Sequence, residues 1–128
     1  MKIYVAGASK ERAMIADYMH RLREAGFEIT HDWIVVMDQE KTPDNELSHE
    51  KAVEYARRDL DGVLQAELFW LMIPENQSLG AWVELGYAMA RMAVIVSGDR
   101  TKSIFVHLSC DHFKTHEEAF EFIKSLCP

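Results

Sequence analysis

Apolar and polar positions along the chain follow two periods that take turns. Lys2 to Ala6 is a short apolar run that predicts a strand, and Gly7-Ala8-Ser9 turns out of it. From about Ser9 to Ala25, Met14, Ile15, Tyr18, Met19 and Leu22 recur at helical spacing, with Gly26 placed to cap the helix end. Phe27 to roughly Val36 reads as a second strand, Phe27-Glu28-Ile29-Thr30 running less regularly into His31-Asp32-Trp33. Residues 38 to 48 are polar and predict a loop over one sheet edge, long enough to serve as a lid or as a solvated connection. Ser48 to Leu64 sets Ala52, Val53, Ala56, Leu60 and Val63 on one helical face.

The run Glu67-Leu68-Phe69-Trp70-Leu71-Met72-Ile73 is almost unbroken, as in a parallel strand buried on both faces. A helix follows around Glu84, then a fourth strand over Ala93-Val94-Ile95-Val96. Ser97-Gly98-Asp99-Arg100 is expected to turn directly into a fifth strand over Ser103-Ile104-Phe105-Val106. Ser109 to Thr115 reads as irregular, and Glu117 to Leu126 carries Phe120, Ile123 and Leu126 at helical spacing. The alternation predicts one α/β domain over residues 1 to 128: a doubly wound, flavodoxin-like (Rossmann-like), mostly parallel five-stranded sheet with helices on both faces.

Composition narrows the function classes. A net charge of −7 with no lysine or arginine cluster argues against a nucleic-acid partner. No apolar run reaches the length of a membrane span, and Met1 to Ala6 is too short for a signal sequence, so a cytoplasmic protein is expected. Cys110 and Cys127 lack CxxC spacing and are expected to be free thiols. His107, His112 and His116 with Asp111 lack a metal-site frame, so no metal is expected.

Chemistry concentrates in Ser78-Leu79-Gly80-Ala81-Trp82-Val83-Glu84-Leu85-Gly86-Tyr87-Ala88, beyond the carboxyl end of the third strand, where open α/β sheets bind ligands. Glu84 is a candidate nucleophile, expected to stay ionised near the helix start, or an acid that only complements the dipole. Gly80 and Ala88, one turn either side of it, leave its face open. Ser78 is a candidate phosphate donor. Gly7, Ser9 and Lys10 occupy the first-strand loop on the same sheet edge, and Tyr4 lies in the first strand, either reaching a carboxylate across the crevice with its hydroxyl or serving only in packing. Asp59 and Asp61 sit at the negative end of a helix, which hints at a purpose or at pairing with Arg57 or Arg58. His31 and Trp33 either line a base pocket or serve as a surface histidine and a packed tryptophan. Trp82 is read as a core or subunit contact.

Three segments resemble the nucleoside 2-deoxyribosyltransferases and their hydrolytic relatives, the 2'-deoxynucleoside 5'-monophosphate N-glycosidases. They are Lys2 to Gly7, Arg58 to Ala66 and, most specifically, Ser78 to Ala88. With their spacing they cover most of residues 1 to 96, and nothing beyond residue 97 matches. The resemblance implies that Glu84 attacks C1' of the sugar, that Tyr4 orients it, and that Asp59 binds or protonates the leaving base, with Asp61 as the fallback.

Ser78, where the transferases resemble one another in having an acid, implies a phosphorylated substrate. Ser9 and Lys10 match the hydrolases' first loop, lysine replacing the usual arginine. The Gly7 and Gly80 amides complete the expected sugar and phosphate contacts, and His31 is a candidate at the base. Glu67, commonly aspartate in relatives, is expected to affect only the strand start. The family further implies homodimers or larger assemblies and no metal or organic cofactor. The expected activity is cleavage or exchange of the N-glycosidic bond of a small-molecule (deoxy)nucleoside 5'-monophosphate. A free-nucleoside deoxyribosyltransferase and a non-catalytic nucleotide-sensing module are the other readings.

Overall fold

The structure is a computed structural model that describes residues 1–108 and 111–128. Five parallel strands form one sheet in the order β2-β1-β3-β4-β5: β1 (Lys2–Ala6), β2 (Glu28–Ile29), β3 (Leu68–Met72), β4 (Ala93–Ser97) and β5 (Asp111–Phe113). This is the flavodoxin-like order, reversing at β1 and β3. The helices are α1 (Arg12–Glu24), α2 (Trp33–Gln39), α3 (His49–Gln65), α4 (Leu79–Met89) and α5 (His116–Lys124).

Alternation along the central strands sends successive side chains to opposite layers. Trp70 meets Tyr18 of α1 edge-on, their ring centroids 5.5 Å apart, and Tyr18 also packs on Phe120 of α5. Tyr4 stacks on Phe69, its register partner, at 5.8 Å on the layer covered by α3 and α4. All of β3 is buried, as its unbroken apolar run requires. Glu67 ties the start of β1, its carboxylate accepting from the Lys2 amide at 3.0 Å while its own amide donates to the Lys2 carbonyl. Gly26, at φ +95°, ends α1 in the left-handed conformation a side chain resists. Among the described residues, no helix is long and apolar enough to cross a membrane.

Two elements differ from expectation. The second strand is only two residues long, and Trp33 to Gln39 is a helix. Asp32 caps it by accepting from the Val35 amide, and Trp33 and Ile34 turn into the core. The polar connection therefore begins at residue 40. The edge strand is not Ser103 to Val106: Ile104–Leu108 is a 3-10 turn in which only Val106 is buried, and Asp111–Phe113 pairs with Ile95, Val96 and Ser97. Two parallel strands need a crossover of about a dozen residues, which a four-residue turn cannot supply and residues 98–110 can. Ser109 and Cys110, expected within an irregular stretch and as a free thiol, lie outside the described residues; Cys127 is free and exposed.

The short β2 leaves the upper half of β1 without a strand partner on that side, and the chain covers this edge differently. The Trp33 indole N–H donates to the Val5 carbonyl at 2.8 Å. Each residue of the 30–33 loop is tied down: Thr30 Oγ1 donates to the Gly62 carbonyl at 2.6 Å, His31 meets Asp59, Asp32 pairs with Arg23 at 2.9 Å, and Trp33 holds β1.

Candidate active site

Helix α4 begins after Pro74 and the polar residues that end β3. Ala81, Leu85 and Ala88 are its buried face, at the i, i+4, i+7 spacing that docks it on the sheet. Glu84 therefore lies at the margin of that face, in the crevice above β1. The Tyr4 hydroxyl, on a fully buried ring, donates to Glu84 Oε2 at 2.8 Å, the contact that the family resemblance implied.

The expectation that the helix start keeps Glu84 ionised is not met. Burial first, and the nearby Asp59 carboxylate second, push its carboxyl up to about 8, against the opposing effect of the Tyr4 hydrogen bond. Glu84 stands in the second turn of α4, where the dipole has largely faded. Burial together with Glu84 and Asp59 likewise pushes the Tyr4 phenol up, so it remains a donor.

Asp59 reaches the crevice from α3. Its Oδ1 is 3.1 Å from His31 Nε2, and neither Arg57 nor Arg58 takes it: Arg58 pairs with Glu54 instead. Asp61, two residues on and so rotated away around the helix, is exposed. His31 is not a surface residue, its side chain being 17% exposed. Gly62 makes this convergence possible. A Cβ there would lie 2.5 Å from His31 Cβ and 3.1 Å from the Tyr4 ring, so only glycine lets α3 close on both. The pairing of His31 with Asp59 was not foreseen. Its one sequence signal is Gly62, a residue of poor helix propensity one turn after Asp59.

Ser78 is the N-cap of α4, half-buried, and its hydroxyl makes no capping bond, which leaves it and the first-turn amides of α4 open to an anion. Gly80 has open space where a side chain would stand. Ser9 and Lys10 occupy an exposed 3-10 turn after β1. A Cβ on Gly7 would lie 2.5 Å from Ile15 Cδ1, the tip of a core side chain of α1. The Glu75 amide donates to Glu11 Oε1 at 3.2 Å, tying the loop after β3 to the one after β1.

A cavity of about 330 Å³ between these loops is lined by Lys10, Glu11, Ala13, Met14, Glu75 and His116. A larger one of about 560 Å³ continues past the ends of β4 and β5. The histidines there have partners: Ser97 Oγ takes the Trp70 indole N–H at 2.8 Å and meets His116 Nδ1 at 2.7 Å, and His112 Nε2 lies 2.9 Å from the Gly98 carbonyl. Burial holds His116 below the usual histidine range. Among the described residues, no three His, Cys, Asp or Glu side chains gather as a metal site.

No family model and no curated protein matches this sequence. Among solved structures, the chain is similar in fold to the CMP N-glycosidase BcmB of Clostridium botulinum. The TM-score is 0.61 over 98% of this chain and 100% of that one, at 17% sequence identity.

Proposed function

We propose that this chain is an enzyme that breaks the N-glycosidic bond of a (deoxy)nucleoside 5'-monophosphate through a glycosyl intermediate on Glu84. The observation that carries the reading is one carboxylate, held by a buried tyrosine, with a second on α3 close enough to raise its ionisation, both beside the sheet's switch point. As the C1'–N bond breaks, its electron pair leaves with the base, and the ionised Glu84 carboxylate forms an ester to C1'. Tyr4 holds the nucleophile in one rotamer and stabilises its charge. Asp59 donates a proton to the base. Water then attacks C1', the ester bond breaks to restore the carboxylate, and Asp59 takes the water's proton.

The free Ser78 hydroxyl, the α4 amides, the open Gly80, Gly7, Ser9 and the positive Lys10 are the phosphate and sugar contacts of this reading. His31 flanks the base, whereas Asp61, turned away around α3, takes no part. The name of the BcmB neighbour puts CMP first among substrates to try. Self-association belongs to the same reading, and a second copy would cover exposed apolar side chains: Leu79 and Val83 on α4, and Ile104, Phe105 and Leu108 beside β5. No metal or organic cofactor takes part, and a reducing, cytoplasmic setting suits the reading.

The test is chromatographic. Wild type and Glu84→Ala are incubated with ribo- and deoxynucleoside monophosphates, CMP included, and with free nucleosides. Base released from a monophosphate by wild type alone is the expected result. Base exchange on free nucleosides would move the assignment to a transferase, and binding without turnover to a sensing module.

A further inference from the structure

The reaction needs the two crevice carboxyls in opposite states: Glu84 ionised to attack, Asp59 protonated to release the base. Burial and the nearby Asp59 carboxylate work against the ionised Glu84 that attack requires. A working site must bring a proton to Asp59.

The group placed to do so is His31. Its Nε2 is 3.1 Å from Asp59 Oδ1, and its side chain is shielded from water. Its position is over-determined: Thr30 before it is bonded to the backbone of α3, Asp32 after it to α1, Trp33 to β1, and Gly62 clears the space it fills. Such fixing exceeds what a histidine that merely borders a pocket requires. The charged and titratable groups around it are Asp59 and, across the Gly62 gap, Tyr4 and Glu84, with the Arg23 and Asp32 pair beside it on the loop.

We propose that His31 is the proton store for leaving-group departure, a positioning residue that acts on the base through Asp59. This rests on the glycosidase reading above. As the C1'–N bond breaks and its electron pair goes to the base, the His31 imidazolium passes a proton from Nε2 to the Asp59 carboxylate while Asp59 delivers one to the base nitrogen or oxygen, which leaves a neutral imidazole beside an ionised Asp59. In the hydrolytic half, the attacking water's proton goes to that carboxylate and on to His31 Nε2, restoring the imidazolium, so the cycle closes with no outside acid.

The experiment compares wild type, His31→Gln and Asp59→Asn on the pyrimidine monophosphate that wild type turns over fastest and on its 5-fluoro analogue, whose base departs more readily as an anion. Glutamine can hold Asp59 by a hydrogen bond but cannot carry the proton. The expected result is a loss in kcat of about 100-fold or more on the ordinary substrate, with KM little changed, and a loss of about fivefold or less on the fluorinated one, in both variants. Equal losses on the two substrates, or a His31→Gln enzyme as fast as wild type, would overturn the proposal. Nitrogen-15 spectra of His31 give a readout independent of turnover. Imidazole shifts that report a proton shared with Asp59 should vanish in Asp59→Asn, and unchanged shifts count against it. A wild type that releases base from nothing fails at the earlier reading and takes this one with it.

Discussion

The Tyr4 hydroxyl and Glu84 Oε2 meet at 2.8 Å although 80 residues separate them in the chain, and the phenol donates to a carboxyl that burial discourages from ionising. Tyr4→Phe should therefore move Glu84 ionisation upward from about 8, because the removed hydrogen bond favours the anion. Turnover should fall roughly 10- to 100-fold, the worth of a hydrogen bond to a charged group. Carbon-13 titration of the Glu84 carboxyl and steady-state base release check the two halves.

Asp59→Asn should move the same titration the other way. The Asp59 charge is the second cause of the raised Glu84 value, so a neutral amide lets Glu84 ionise below about 8. The variant should lose turnover while its nucleophile becomes easier to ionise. A parallel rise in both would contradict the assigned roles.

Stability should carry the imprint of Glu84. In the folded protein its proton stays to about pH 8, and in the unfolded chain it leaves near the ordinary 4.5. Between those values the folded state binds the extra proton, so this contribution is complete below pH 4.5 and is lost as pH rises through 8. Glu84→Gln has no proton to lose. Its melting temperature relative to wild type should climb across that window, by the equivalent of roughly 3 kcal/mol.

Gly62→Ala tests the convergence of α3 with β1 and the 30–33 loop. Within a helix that change ordinarily stabilises, by about 0.5–1 kcal/mol. Here the methyl meets His31 Cβ and the Tyr4 ring, so the sign should reverse to a loss of about 1–3 kcal/mol, with activity falling as the crevice is pried apart. Thermal melts and base release read both.

Ser97→Ala addresses the opposite layer. It leaves the buried Trp70 indole N–H without its acceptor, which should cost about 1–3 kcal/mol.

The placement of Glu84 was legible because it is local in pattern: an unbroken buried strand, a polar break, a glycine-bearing helix start. The strand order followed from the alternation of elements. Trp33-Ile34-Val35-Val36 misleads, being rich in the β-branched residues that favour strands, while the deciding feature is the single Asp32 cap. Ile104-Phe105-Val106 misleads for the same reason, and the length of a parallel crossover overrides it. The His31 and Asp59 contact joins residues 28 apart on different elements, and no periodicity carries such a pair.

The indole of Trp33 on the Val5 carbonyl has a consequence for life at high concentration. A sheet edge that offers unpaired backbone groups beside an apolar strand is a template on which other chains polymerise. Two residues of β2 screen only the start of β1, and the side chain of Trp33 occupies a hydrogen-bonding position that an invading strand would use. Replacing Trp33 by phenylalanine should leave the core nearly filled and yet open that position, so fibril-forming tendency would rise out of proportion to any loss of stability.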